Sequence, residues 1–479
     1  MHQGTACNVL GGFPLSNWDV IIVGAGPAGI FAALELTRIS PQLSVLILEK
    51  GFELESRRCP REGIMGGCAN CSPCAITSGW GGAGAFSDGK LTLTNKFGGF
   101  LDEYVSKNEL LSLIDYMDKV WVEFGATGRV FGTDKESTDE LVRQAAACGL
   151  ELIPARIRHL GSDNCPRILN NMYLYLEPKV AIRTRAEVER ILVDGDKVQG
   201  VALKGGGEER CRYLIVAPGR EGSAWFSEEA KRLGFSQTIN PVDIGVRVEI
   251  PAVVADHITE KVWEPKIHYY SNSFDDLIRT FCMCPRGEVV VENTDGVITV
   301  NGHSWSNKET ENTNFALLVS KTFTEPFKEP IAYGKYIASL ANMLGGGVIV
   351  QRLGDLLEGR RSTHGRIAKS MVEPTLKDAT PGDLTLVLPY RYVKNILEML
   401  EVLNKFMPGV WAKHTLLYGV EVKYYSARVT VDKDMASEID GLYAIGDGAG
   451  ITRSLAQASV SGIIAARSIA SRENSQRPS

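Results

Sequence analysis

The stretch Trp18-Asp19-Val20-Ile21-Ile22-Val23-Gly24-Ala25-Gly26-Pro27-Ala28-Gly29, together with Leu43 to Leu48 and Glu49, decides the fold of this 479-residue chain. A short β-branched apolar run ends in three glycines spaced Gly-x-Gly-x-x-Gly. Small residues and helix formers follow from Ile30 to Ile39, and a second apolar run closes on an acidic residue twenty positions after Gly29. The pattern predicts a βαβ unit whose continuous apolar strands lie in a parallel sheet buried on both faces. Each glycine has a task there. Gly24 makes the tight turn, Gly26 lets a pyrophosphate approach, and Gly29 lets the helix pack closely with its N-terminal dipole facing that anion. Glu49 stands where ribose hydroxyls are accepted, which favours an unphosphorylated ribose. Strand before, helix after and acidic residue beyond make this a dinucleotide site rather than a bare glycine turn.

Composition bounds the remainder. With 44% hydrophobic and 23% charged residues, 49 Gly and 10 Cys, the chain is neither disordered, collagen-like, coiled-coil nor a small disulfide scaffold. A net charge of −5 supplies no global basic field, so no nucleic-acid partner is expected. No run reaches the ~18 apolar residues of a membrane span, and Met1 to Trp18 lacks the basic start and apolar core of a signal peptide. The expectation is a cytoplasmic protein.

Apolar residues recur at helical spacing from Tyr104 to Phe124 and from Glu136 to Cys148. A β-meander follows: Val188 to Val193, Val198 to Leu203, then Arg212 to Ala217, stopping at Pro218-Gly219. Between Phe235 and His414 lie strand-like segments (Val242 to Ile250, Glu288 to Glu292, Val297 to Asn301, Val348 to Leu353) and helical stretches near Phe315 to Phe323 and Val393 to Phe406. Leu442 to Ile445 leads into Gly446-Asp447-Gly448-Ala449-Gly450 and a small-residue helix from Leu455 to Ile469. The expected fold is α/β: a discontinuous Rossmann-like domain with a β-meander over residues 17–104, 176–234 and 415–472, a helical insertion over 105–175, and a second, mixed α+β substrate domain over 235–414.

FAD and NAD share the glycine fingerprint, and three further segments favour FAD. Gly446-Asp447-Gly448 resembles a C-terminal FAD motif, the meander ending in Ala217-Pro218-Gly219 resembles a flavoprotein alanine-threonine-glycine segment, and Gly81-Gly82-Ala83-Gly84-Ala85-Phe86-Ser87-Asp88-Gly89-Lys90-Leu91 resembles a loop that brings backbone amides to a flavin. With Val242 to Glu249, Cys282-Met283-Cys284-Pro285 and Asn301-Gly302-His303-Ser304, the chain resembles the FAD-dependent dehydrogenases of the glutathione-reductase-like two-domain class over nearly its whole length. The resemblance implies a flavin dehydrogenase or reductase and leaves the substrate open. The expected cofactor-binding residues are Gly24, Gly26, Pro27, Ala28, Gly29, Glu49, Lys50, Arg58, Gly81, Gly82, Ala83, Gly84, Val188, Pro218, Gly219, Gly446, Asp447 and Gly450. No second glycine fingerprint with an acidic partner follows, since Gly345-Gly346-Gly347 only precedes a strand, so an NAD(P)H domain is not expected.

Cys59, Cys68, Cys71 and Cys74 supply four thiolates with two-residue gaps, the number a [4Fe-4S] cluster or a structural zinc takes. A dithiol exchanging electrons with the flavin and a loop of unreactive thiols are the other readings. Cys282 and Cys284 alternate with Met283, so on a regular strand both sulfurs face one side, as packing or as a single reactive thiol. His303 is a candidate general acid or base, against a plain polar turn residue. Arg360, with Arg361 in Gly359 to His364, is a candidate carboxylate or phosphate holder, against a solvated loop. Lys423 with Tyr424 and Tyr425 is a further candidate lining.

The leading expectation is an FAD oxidoreductase moving a hydride or paired electrons between flavin and a small organic substrate bound between the domains, with a ferredoxin-like donor if the cysteines hold a cluster. The alternatives are a thiol/disulfide oxidoreductase using the four cysteines and a flavin-binding redox sensor.

Overall fold

Residues 17–60, 69, 71–87, 89–126, 128–294, 296–304, 309–323 and 329–476 are described by a computed structural model. The strand Asn17–Val23 lies inside a seven-stranded sheet, flanked in parallel by Val45–Leu48 and Glu208–Val216. Its residues Val20 to Val23 are buried, as neighbours on both sides and layers on both faces require. The strand Glu208–Val216 divides its two ends between different partners. Glu208 to Arg210 pair antiparallel with the meander strand Lys197–Leu203, whereas Leu214 to Val216 pair parallel with Leu442–Ala444, which comes after the whole second sheet.

The helix Pro27–Ile39 starts with Gly26 at its N-cap and Pro27 in its first turn, and no side chain caps it. Proline suits that place because its missing N–H belongs to an unpaired position anyway. Ile30, Phe31, Leu34 and Leu36 are buried beneath it, each worth about 2 kcal/mol of transfer free energy. The helix Leu455–Gln476 packs across it, so both ends of the described chain meet in one core.

The second layer is an eight-stranded sheet in the order Thr380–Pro381, Ile349–Arg352, Leu416–Lys423, Val242–Pro251, Asn312–Lys321, Leu277–Cys284, Lys266–Tyr270 and Glu151–Ile153. On the face under the amphipathic helix Tyr390–Phe406 stand Ile244, Val246, Val248, Phe315, Leu317 and Val319. The opposite face carries Asp243, Arg247, Glu249, Asn314 and Glu421, each almost wholly buried. A hairpin, Glu288–Thr294 with Val297–His303, packs against the strands on that side.

The helix expected near Phe315 to Phe323 is instead the strand Asn312–Lys321. Residues 312–319 are all buried, and an unbroken apolar run reads alike as a central strand or a buried helix. The two helices expected between residues 104 and 148 occupy Lys107–Glu123 and Lys135–Ala147, and a third, Asn164–Leu176, follows. The same segment also holds strands. Arg156–His159 pairs with Lys90–Leu93, and Glu151–Ile153 forms an edge of the eight-stranded sheet. Among the described residues no helix is long and apolar enough to cross a membrane.

Candidate flavin and substrate site

Four loops close on one another where the first sheet ends. Gly24 has φ of 102°, and a Cβ there would lie 2.1 Å from the Ala217 carbonyl oxygen. A Cβ on Gly82 would lie 3.1 Å from the Cα of Gly26, and one on Gly448 would lie 2.3 Å from the Gly219 carbonyl oxygen. The segments 24–29, 81–84, 217–219 and 446–450 therefore touch backbone to backbone, at Gly24 and Gly448 more closely than any side chain allows. Gly26 is different, because nothing lies within 4 Å of where its Cβ would be. That open side, beside the uncapped start of the helix Pro27–Ile39, leaves amide groups and a positive dipole end for a phosphate, so the cradle fits the pyrophosphate of FAD.

Glu49 sits at this junction with its carboxylate buried. Its Oε2 accepts from the Ala25 N–H at 2.8 Å, and its Oε1 accepts from Gly51 at 2.8 Å and Gly79 at 2.9 Å. A carboxylate offers about four lone-pair sites, so capacity for a ribose hydroxyl remains while the glycine turn and the next loop are tied to one side chain. Asp447 accepts from the Thr452 hydroxyl at 2.6 Å, and burial raises its pKa. Lys50 pairs with Glu221 at 3.2 Å, Val188 is buried in the sheet, and the turn at Gly450 lies against the backbone of Ala427 and Arg428. Arg58 is exposed; its neighbour Arg57 is the buried guanidinium. Arg57 donates to the carbonyls of Ala75 (2.8 Å), Ile76 (2.6 Å) and Trp80 (2.6 Å) and so holds the loop before Gly81. Burial pulls its pKa down to about 10.

From the glycine loop the chain runs into Lys90, which reaches across to the eight-stranded sheet. Its Nζ donates to the Met283 carbonyl at 2.9 Å, lies 3.8 Å from the Cys282 sulfur and 3.4 Å from Glu264. Glu264 also pairs with Lys266 and accepts from the Cys282 N–H at 3.0 Å. Three cations surround the ring of Phe281: Lys266 at 4.4 Å, Arg279 at 5.0 Å and Lys423 at 6.0 Å from its centroid. Lys423 is held by Glu292 at 3.1 Å and Glu421 at 3.3 Å. Arg279 pairs with Asp243 and donates to the Tyr425 hydroxyl at 2.8 Å.

The pairing of Leu277–Cys284 slips by one residue between Phe281 and Cys284, and Cys282 takes a φ of 45°. This β-bulge breaks the alternation expected of the two cysteines. Cys282 is half-buried beside Lys90, whereas Cys284 is wholly buried against Arg247 at 3.3 Å. The Cys282 hydrogen bond and burial together push the Cys284 thiol well up, which keeps it protonated. His303 shares a hydrogen bond of 3.0 Å with the Ser162 hydroxyl. Arg360 is committed elsewhere, to Asp355 at 3.0 Å and Glu358 at 2.9 Å. Cys59 and Cys74 are half-buried and Cys71 is exposed, all as free thiols; Cys68 lies outside the described residues. Among the described residues no group of three or more His, Cys, Asp or Glu side chains converges on a metal position.

The electrostatics of this interface give a testable acid response. Burial alone would raise the Glu264 carboxyl, but the ammonium groups of Lys266 and Lys90 outweigh it and hold it at about 2, against an ordinary 4.5. A carboxyl whose folded pKa is depressed adds stability above its unfolded pKa and loses it as pH falls. The thermal midpoint should therefore drop between pH 4.5 and 2, and Glu264→Gln should flatten that drop.

The matching family models agree with this geometry. Residues 19–69 match the FAD binding domain model, and residues 241–424 match the model described as FAD-dependent protein, C-terminal domain-like. An uncharacterized protein of Clostridium beijerinckii is 27% identical over 480 aligned positions, covering 94% of this chain and 80% of that one. Among solved structures, the E. coli quinol fumarate reductase FrdA chain is 14% identical with a TM-score of 0.41 over 98% of this chain and 72% of that one. The L-proline dehydrogenase of P. horikoshii is 11% identical with a TM-score of 0.41 over 95% and 93%. The two domain matches bear out the FAD-dependent character read from the sequence: the chain carries an FAD binding domain and an FAD-dependent, C-terminal-like domain.

Proposed function

We propose that the chain binds FAD across the four glycine loops and oxidises or reduces a small organic molecule lodged against Phe281, between those loops and the polar face of the eight-stranded sheet. The observation that carries this is Lys90: the strand leaving the glycine loop delivers an ammonium group directly onto Met283, Cys282 and Glu264 of the second sheet. In this reading the segment 24–29 holds the pyrophosphate, Glu49 a ribose, and Gly446-Asp447 with Pro218-Gly219 the stem of the cofactor. Bound FAD supplies the hydride or electron acceptor and donor.

The protein's own part is to place and charge the substrate. Phe281 offers an apolar floor, and Lys266, Arg279 and Lys423 give that floor a positive rim. Lys266 is the proton-handling group of the set. Burial lowers its pKa below that of an ordinary lysine even against the pull of Glu264, which brings Nζ nearer to giving up its proton. The test is anaerobic reduction of the FAD-loaded protein by small organic substrates, followed as bleaching of the flavin absorbance. Lys266→Met should keep its FAD and slow bleaching by about 10²-fold or more, the range of a lost general acid or base. Unchanged bleaching in that variant would remove Lys266 from the reaction, and a protein purified without flavin would remove the reading as a whole. The ferredoxin-like donor belongs to this reading only together with a metal on Cys59, Cys68, Cys71 and Cys74. Iron and acid-labile sulfide of about four each per chain would call for such a one-electron donor; flavin alone leaves a two-electron exchange.

A further inference from the structure

Arg453 follows the Gly446–Gly450 turn, and its N–H donates to the Gly98 carbonyl at 2.9 Å. Its guanidinium is sandwiched between two rings, with its carbon 3.6 Å from the centroid of Tyr425 and 4.4 Å from that of Phe100. Nε and Nη2 are buried and have no hydrogen-bond partner among the described residues. These two nitrogens form one edge of the guanidinium, with parallel N–H bonds. Stacking rings satisfy the faces of the cation and leave its edge donors unmet, and a buried unmet charged donor is costly. The carboxylates of Asp243 and Asp447 act on this cation through their charge without accepting a hydrogen bond from either nitrogen. The Tyr425 hydroxyl donates to Asp243, which is itself paired with Arg279.

Resting on the reading of this interface as the substrate site, we propose that Arg453 is the specificity residue and that the substrate carries a carboxylate, gripped side-on by Nε and Nη2. A planar carboxylate matches that edge with two parallel hydrogen bonds. Tyr425 links Arg453 to Arg279, whose charge is shared with Asp243, whereas both edge nitrogens of Arg453 keep their hydrogen-bonding capacity for an incoming anion. The two aromatic faces fix the plane of the guanidinium, which orients the acid as well as binding it.

The experiment titrates the FAD-loaded full chain with succinate and with its uncharged isostere succinamide, reading the perturbation of the flavin visible spectrum. The expected result is a saturable response to succinate and none to succinamide. Arg453→Met should weaken the succinate response by about 10- to 100-fold, the worth of a charged bidentate contact. Arg453→Lys keeps the charge without the fork, so it should fall between the two, and it decides the matter should the Met variant fail to fold. An equal response to succinamide, no response to succinate, or a Lys or Met variant that titrates like the parent would overturn the proposal. A Met variant that loses its FAD, beside a Lys variant that keeps it and titrates like the parent, would reassign Arg453 to the cofactor. Flavin missing from the parent protein would instead sink the reading of the site as a flavin site.

Discussion

Replacing Glu49 by alanine should strip the protein of flavin and cost roughly 3–6 kcal/mol of stability, because three buried amides, of Ala25, Gly51 and Gly79, lose their acceptor at once. The loss is large because one carboxylate joins segments far apart in sequence, the turn after the first strand and the loop leading to Gly81. Glu49→Gln separates the amide-holding role from the charge. Its oxygen can serve Gly51 and Gly79, while its NH2 then opposes the Ala25 N–H, so about 1–3 kcal/mol should be lost. Denaturant midpoints with flavin content after gel filtration check both values. An alanine variant that keeps its flavin and lies within about 0.5 kcal/mol of the parent would show that solvent can replace the carboxylate.

Gly302→Ala should be strongly destabilising, because the new methyl group strikes a wholly buried guanidinium. A Cβ at residue 302 would lie 1.8 Å from Nη2 of Arg247 and 2.4 Å from Oδ1 of Asn314, so Arg247 must leave its place. That guanidinium is wholly buried, donating to Asn314 at 2.7 Å, to Glu421 at 3.3 Å and to the Cys282 carbonyl at 2.6 Å. Its displacement strips the buried Glu421 of one of its two cations. Breaking a buried pair in this way costs about 3–5 kcal/mol. The cause can be isolated, because Arg247→Met removes the group that the new methyl strikes. Gly302→Ala added to Arg247→Met should therefore lower the thermal midpoint much less than it does alone. Additive losses would place the damage in the hairpin backbone instead of in Arg247.

The sequence made some of these features legible and hid others for physical reasons. The first βαβ unit, the meander and the Gly446-Asp447 turn announce themselves because glycine at fixed spacing has few structural alternatives. The helix Tyr390–Phe406 shows because one of its faces meets solvent and gives a clear period. Asn312–Lys321 has no such contrast, being buried on both faces. The alternation in Val242–Pro251 reads as a half-exposed strand, yet Asp243, Arg247 and Glu249 are as buried as Ile244 and Val246, because the hairpin packs on the polar face. Arg57 and Arg58 are indistinguishable as letters; only the path of residues 75–80 makes one of them a clamp. Lys90, Lys266, Arg279 and Arg453 come from four separated segments, so no local motif could gather them. Cys282 and Cys284 misled because a bulge shifts the phase of a strand without any mark in its composition.

The divided loyalty of the strand Glu208–Val216 has a consequence for the birth of the protein. On the ribosome, its first three residues meet their partner as soon as the meander emerges, but Leu214 to Val216 wait for Leu442–Ala444. At the usual pace of translation the intervening segment takes roughly 10–50 s to appear. Throughout that interval the nascent chain carries an apolar strand with an unpaired edge, and the helix Pro27–Ile39 lacks the cover of Leu455–Gln476. The sheet and the four-loop cradle are therefore completed only once synthesis has passed residue 450.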